Sequence, residues 1–387
     1  MDNLRDPKLA GSDDAGLAVG KLRGSIISIQ FLRFVAASLV VFVHASEVLH
    51  GRISGSISKE FLKNAFFGAS GVHIFFVISG FIMVYTSFYG KDIARFSASK
   101  FLFRRFFRIY PIYIVYCALY LAFYHVVLGT SPLSWGELVG SLALFPGDSS
   151  RIIGPGWTLG FEVYFYFCFS IAMMIGMRRG ILALTIFFLL SIIVRPLADT
   201  SQHQVFVFTN SLLIEFLMGA WVGYAVASGV TLGNFLSKTM IVVALCGFLA
   251  GIFFGFHRLP SVVTWGVPSA LLVAGLVFSE SNGYVPQLIK KFAPLGDSSY
   301  SLYLLHVLLL DAAVLAVMTS SVALVEHIQR AGAIEMIAIC SALSVYCIVV
   351  AHFSYQLIER NLVNGLRHLL PARKILRLRS GKSAVKL

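Results

Sequence analysis

Apolar residues run along this chain in long blocks separated by short polar breaks. Ten blocks reach membrane-spanning length, near residues 26–47, 67–89, 106–128, 156–176, 180–197, 206–228, 239–256, 261–279, 299–319 and 332–353. A helix rises about 1.5 Å per residue, so roughly 20 residues cross a hydrocarbon core about 30 Å thick. The clearest blocks are Leu259–Ser279, uncharged before Glu280, and Met240–Phe256. The pattern predicts an all-α, polytopic membrane protein of about ten transmembrane helices. Residues 1–25 read as a flexible N-terminal tail, 26–362 as one membrane domain and 363–387 as a basic C-terminal tail. No internal repeat or low-complexity tract marks a second domain.

Composition agrees with that pattern. Hydrophobic residues make up 58% of the chain and charged residues 13%, and mean hydropathy is +0.83. A soluble domain carries about a quarter charged residues. The net charge of +13 alone would suit a nucleic-acid partner. Its distribution does not, because the basic residues sit in short loops and in the run Arg373–Lys386. That is the pattern of a membrane face near anionic lipid, with no nucleic acid expected. Placing both termini in the cytoplasm puts 23 of the 31 basic residues inside. The first 25 residues lack the basic start, apolar middle and small-residue site of a secretory signal, so the first helix is expected to be kept. The five cysteines lie in apolar segments without a C-x-x-C pair and read as packing residues. No metal site is expected.

Ionisable side chains inside the spans cost about 2.5–3.5 kcal/mol each by insertion scales, so they require partners or a wet cavity. The first helix carries Arg33 and His44. Eleven residues at about 100° each bring both onto one face, roughly 16 Å apart along the axis. Two readings stand: a cation and an imidazole lining one channel, or a snorkelling Arg and a His bonded to backbone. Glu162, about two turns below the outer end of the fourth helix, is expected at a depth similar to that of His44. A carboxylate there would fix the imidazole's tautomer and support a general base; the alternative is a structural pair, or a bond to a Tyr or Trp donor. In KFLFRRFFRIYP, Lys100, Arg104, Arg105 and Arg108 gather at the cytoplasmic end of the third helix. They suit lipid anchoring, or equally bidentate bonds to phosphate.

In the second helix, Gly68, Gly71 and Gly80 with Ser70 and Ser79 admit close approach, with helix packing as the default reading. His73, near its outer end, is ambiguous. His306 and Asp311 lie on the ninth helix, and for His306 near mid-membrane a cavity role and an interhelical bond both remain open. Glu215, His125 and His352 read as structural.

Five segments then carry a resemblance. Arg33, ten residues and His44 form an R-x10-H pattern, followed in order by GVHIFFVISGFIM, RRFFRIYP, WTLGFEVYFY and SYSLYLLH. The chain resembles the acyltransferase 3 family of membrane proteins over about residues 26–362, and its second segment resembles the exopolysaccharide-modifying branch. The resemblance implies ten core helices in a bacterial inner (plasma) membrane. It also implies an acyl-CoA donor (acetyl-CoA the commonest), no permanently bound cofactor, and an acceptor that is a cell-surface polysaccharide or lipid-linked glycan. Residue by residue it implies His44 as catalytic, Arg33 in the same motif and Glu162 as the carboxylate after W-T-L. Arg104, Arg105 and Arg108 would lie on the coenzyme A side. His73, Trp157 and His306 are the candidate substrate-binding residues. The sequence departs from the family's pattern at His73, where an acidic residue is common. It departs again at Val163, where a second acidic residue is common, and at Asn361, near a usual proline. The 25 residues after Leu362 are too few for an SGNH-type hydrolase domain. The rival classes are a transporter or flippase of a lipid-linked sugar, which also needs intramembrane His, Arg and Glu, and a non-catalytic scaffold.

Overall fold

A computed structural model describes residues 26–53, 55, 58–88, 96–130, 133–144, 152–254 and 258–366. The expected tail 1–25 and the basic run Arg373–Lys386 lie outside the described residues, as do the loop cations Lys91, Arg95 and Arg151. All regular structure among the described residues is helical. Ten helices are long and apolar enough to cross a membrane: α1 Ile27–Arg52, α2 Lys59–Ser87, α3 Ala98–Val127, α4 Gly154–Ile175, α5 Met177–Leu197, α6 His203–Ala227, α7 Asn234–Phe254, α8 Val262–Ser281, α9 Gln287–Ser320 and α10 Ala333–Leu366. Lipid offers backbone N–H and C=O groups no partner, and the helix satisfies them internally.

The helices outrun the apolar blocks that predicted them. The start of α3 at Ala98 takes Lys100, Arg104 and Arg105 into the helix, and Ser97 caps it by accepting from the Lys100 amide. α9 begins at Gln287 and passes through a 3-10 turn, Ala293–Ser298. α10 continues to Leu366, beyond the expected domain end at 362, through a π-helical turn, Tyr355–Glu359. Apolar length locates the part of a helix in hydrocarbon; in the polar interface a helix continues on charged side chains.

α1 packs against α2, α8, α9 and α10 and forms the centre of the bundle. α2 and α8 are 67% and 72% buried in their apolar windows, while α5 and α7 are 22% buried and form the periphery. The tightest packing joins α2 to α6. A Cβ on Gly80 would lie 1.9 Å from the Phe216 carbonyl oxygen, and one on Gly219 1.9 Å from that of Val77. Gly68 and Gly71 face the backbone of α1, so α2 is pressed between α1 and α6, in line with the packing reading of its small residues. Space remains where α1, α2, α3, α4 and α9 face one another.

Candidate active site

Two chambers lie along that space. The inner one, about 800 Å³ of unfilled volume partly open to solvent, is lined by Arg33 of α1, Ser79 of α2, Arg105 and Arg108 of α3, Glu162 of α4 and Tyr300 of α9. Each polar group is oriented by neighbours. Arg33 donates to Gln30 at 3.0 Å, and Gln30 donates in turn to Asp297 at 2.9 Å. Arg105 lies over the rings of Phe101 and Tyr166, 5.3 and 5.5 Å from their centroids, and donates to Thr86 at 3.2 Å. Glu162 accepts from Ser79 at 2.5 Å and from the Tyr166 hydroxyl. Three guanidinium groups face one carboxylate there, and forked donors of this kind suit phosphate.

The outer chamber, about 830 Å³, is lined by His44, Glu47, Arg52, Trp157 and Asp311. Asp311, nearly buried, accepts from Arg52 at 2.8 Å and from Tyr124 at 2.5 Å. An indole face beside carboxylates and a guanidinium offers both a stacking surface and hydrogen-bond partners for a hydroxylated ligand.

Backbone carbonyls assign the proton positions on the two imidazoles. His306 is fully buried, and its Nδ1 lies 2.7 Å from the Tyr303 carbonyl oxygen and 3.2 Å from that of Leu302. That nitrogen must be the donor. His44 Nδ1 lies 2.8 Å from the Val40 carbonyl oxygen and 3.2 Å from His306 Nε2. It too must donate, shared between the carbonyl and His306 Nε2, which accepts. The remaining nitrogen, His44 Nε2, faces the outer chamber 3.9 Å from Glu47 and carries the lone pair of the neutral imidazole. A nitrogen so disposed can take a proton from a bound hydroxyl.

The profile of the family described as an acyltransferase domain matches residues 26–355. The chain belongs to the acyltransferase 3 family. Two curated relatives align with this acyltransferase. The exopolysaccharide production protein ExoZ of Rhizobium meliloti (strain 1021) is 29% identical over 249 residues, covering 62% of this chain and 75% of that protein. Nodulation protein 10 of Rhizobium leguminosarum bv. viciae is 26% identical over 310 residues, covering 72% and 81%. No solved structure matches the chain.

Within this family member, Arg33, Arg105, Arg108 and Glu162 come together in one chamber, and His44 and Trp157 in the other with His306 behind. Several geometric expectations are corrected. Arg33 and His44 line separate chambers, and His44 makes the backbone bond, to Val40, of its alternative reading. Glu162 is held in the inner chamber by Ser79 and Tyr166, and the carboxylate near His44 is Glu47. Helical periodicity fixed the face of each residue on its own helix but not the depth of α4 against α1. Arg104 is exposed and lines neither chamber, because it projects from α3 one residue, about 100°, away from Arg105. His73 is buried against fully buried Glu215 at 2.6 Å and lines neither chamber. The interhelical bond of His306 is to His44. Glu47, Arg52, Thr158 and Tyr303 were missed. For Glu47 a signal existed, since it sits one turn beyond His44 on the same face.

Proposed function

We propose that this membrane acyltransferase moves an acyl group, acetyl in the simplest case, from acyl-CoA to a hydroxyl of a cell-surface or lipid-linked carbohydrate, with His44 as general base. The observation that carries the reading is the pair of chambers. One presents three guanidiniums for a phosphate-rich donor; the other presents an unprotonated imidazole nitrogen beside an indole ring and carboxylates. The charge asymmetry of the loops favours an inner membrane with both termini, and the inner chamber, on the cytoplasmic side. A relative named for exopolysaccharide production favours a polysaccharide acceptor.

In this mechanism Arg33, Arg105 and Arg108 hold the coenzyme A phosphates. The acceptor ring stacks on Trp157, and one hydroxyl meets His44 Nε2. His44 takes that proton as the oxygen bonds to the thioester carbon, with Glu47 near the resulting imidazolium. The C–S bond then breaks, and His44 returns the proton to the departing thiolate. A thiol's ordinary pKa of about 8.5 makes it a good leaving group. General-base assistance of this kind contributes about 10²–10⁴-fold.

The test is transfer from labelled acetyl-CoA by full-length protein in nanodiscs, with polysaccharide mass read from cells carrying or lacking the gene. His44→Gln should lower turnover by at least about 10²-fold while donor binding persists. A His44→Gln protein that still acylates at the wild-type rate would refute the assignment.

A further inference from the structure

The wall between the chambers is a single hydrogen-bonded knot. The Thr158 and Tyr303 hydroxyls lie 2.5 Å apart, and both reach the Pro155 carbonyl oxygen, at 3.1 and 2.9 Å. Thr158 and Tyr303 line the inner chamber, and Pro155 lines the outer one. The Tyr303 ring centroid is 5.9 Å from that of His306, which is 4.8 Å from that of His44. Both hydroxyl-bearing side chains are less than a tenth exposed. Apolar residues would seal such a wall equally well and would bury no polar groups. Two hydroxyl protons serve the three contacts: at 2.5 Å Thr158 donates to Tyr303, and Tyr303 donates to the Pro155 carbonyl oxygen at 2.9 Å, within the 2.7–3.1 Å or so that donors adopt around an oxyanion.

We infer that the Tyr303 hydroxyl, held by Thr158, is the oxyanion donor of the transfer reaction, at the point where the thioester passes from the inner to the outer chamber. The Pro155 carbonyl occupies the position of the substrate carbonyl when none is bound, which keeps the buried Tyr303 donor satisfied and the wall shut. An arriving thioester displaces it as acceptor. When the acceptor oxygen bonds to the carbonyl carbon, the π electron pair moves to the carbonyl oxygen, and Tyr303 donates to that charge while Thr158 donates to Tyr303. Collapse restores C=O and breaks the C–S bond, and the proton on His44 goes to the thiolate. Acyl thioester and alcohol become ester and thiol with no further reactant.

The inference rests on the donor and acceptor assignment proposed above, and the experiment separates the two. Full-length Thr158→Val, Thr158→Ser and Tyr303→Phe are compared with wild type and His44→Gln for turnover, donor KM, coenzyme A binding and thermal midpoint. Tyr303→Phe should lose about 10²-fold in kcat and Thr158→Val, which acts through Tyr303, about tenfold, both with donor KM nearly unchanged, because the Tyr303 bond strengthens only in the transition state. Thr158→Ser, which keeps the hydroxyl, should recover most of the rate. Wild-type kcat in both hydroxyl-deleted variants overturns the inference. So does a Thr158→Ser protein as slow as Thr158→Val, since that marks a packing role. A wild-type protein that fails to bind coenzyme A, or activity that survives His44→Gln, strikes instead at the donor and base assignment.

Discussion

Consider Arg105→Gln beside Arg104→Gln. Both delete one positive charge from the same turn of α3, but only Arg105 lines the inner chamber. Hydrogen bonds to charged groups contribute about 1.5–3 kcal/mol. Losing one such contact to a phosphate should therefore raise the donor KM about 10- to 150-fold, at about 1.4 kcal/mol per factor of ten. Arg105 also covers the Phe101 and Tyr166 rings, and the lost cation–π contacts, about 0.5–2 kcal/mol, should appear as a lower thermal midpoint. Arg105→Lys keeps a charge but not the fork, so its donor KM should fall between those of wild type and the Gln variant. Arg108→Gln should behave like Arg105→Gln, and Arg104→Gln should leave donor KM within about twofold, because a screened surface charge contributes little. Initial rates against acetyl-CoA at saturating acceptor give the comparison, and direct coenzyme A binding by calorimetry confirms that KM reports affinity. Unchanged donor affinity in both chamber variants would refute the phosphate role and return the cluster to lipid anchoring. An equal rise in all three would show a diffuse field instead of a site.

Three further outcomes follow from the packing. His73→Phe strands the fully buried Glu215 carboxylate and should cost about 3–5 kcal/mol of stability by thermal or denaturant unfolding, with donor KM unmoved, whereas pairing it with Glu215→Leu should recover most of the loss. Gly219→Ala drives a methyl into the Val77 carbonyl across the α2–α6 contact and should destabilise by about 1–3 kcal/mol or more, read as a lower thermal midpoint in detergent. His306→Phe removes the acceptor that shares the His44 Nδ1 proton but leaves the shorter bond to Val40, so kcat should fall only about tenfold, the worth of one ordinary hydrogen bond, compared with the far larger loss in His44→Gln.

What could be read from sequence and what could not divide along one physical line. Apolar length and helical period are properties of a segment by itself, so the ten spans and the cationic start of α3 were accessible. The partner of a buried polar group depends on how far a neighbouring helix slides and turns, and no single-segment pattern encodes that. Glu162 was therefore open to a place beside His44 or a bond to a Tyr or Trp donor, and the second holds, with Tyr166 and Ser79 donating to it. His73 gave no sign that Glu215, 142 positions later, would be its partner. Thr158 and Tyr303 were invisible as a pair for the same reason, being ordinary members of two aromatic helices until α4 and α9 bring their hydroxyls together.

The two-chamber arrangement also explains why Arg33 and His44 belong on one uninterrupted helix. In the proposed reaction donor phosphates and acceptor hydroxyl approach from opposite sides of the wall, which requires the distance between their binding groups to be fixed across it. Loops would let that distance drift, and reaction rate falls steeply when reacting atoms are misplaced by about 1 Å. α1 is the central helix, packed on α2, α8, α9 and α10, and its internal hydrogen bonds hold the eleven-residue separation at about 16 Å. Thr158, Tyr303 and the Gly154–Gly156 turn holding Pro155 lie on other helices. A rearrangement confined to those side chains and that turn would leave the spacing on α1 unchanged.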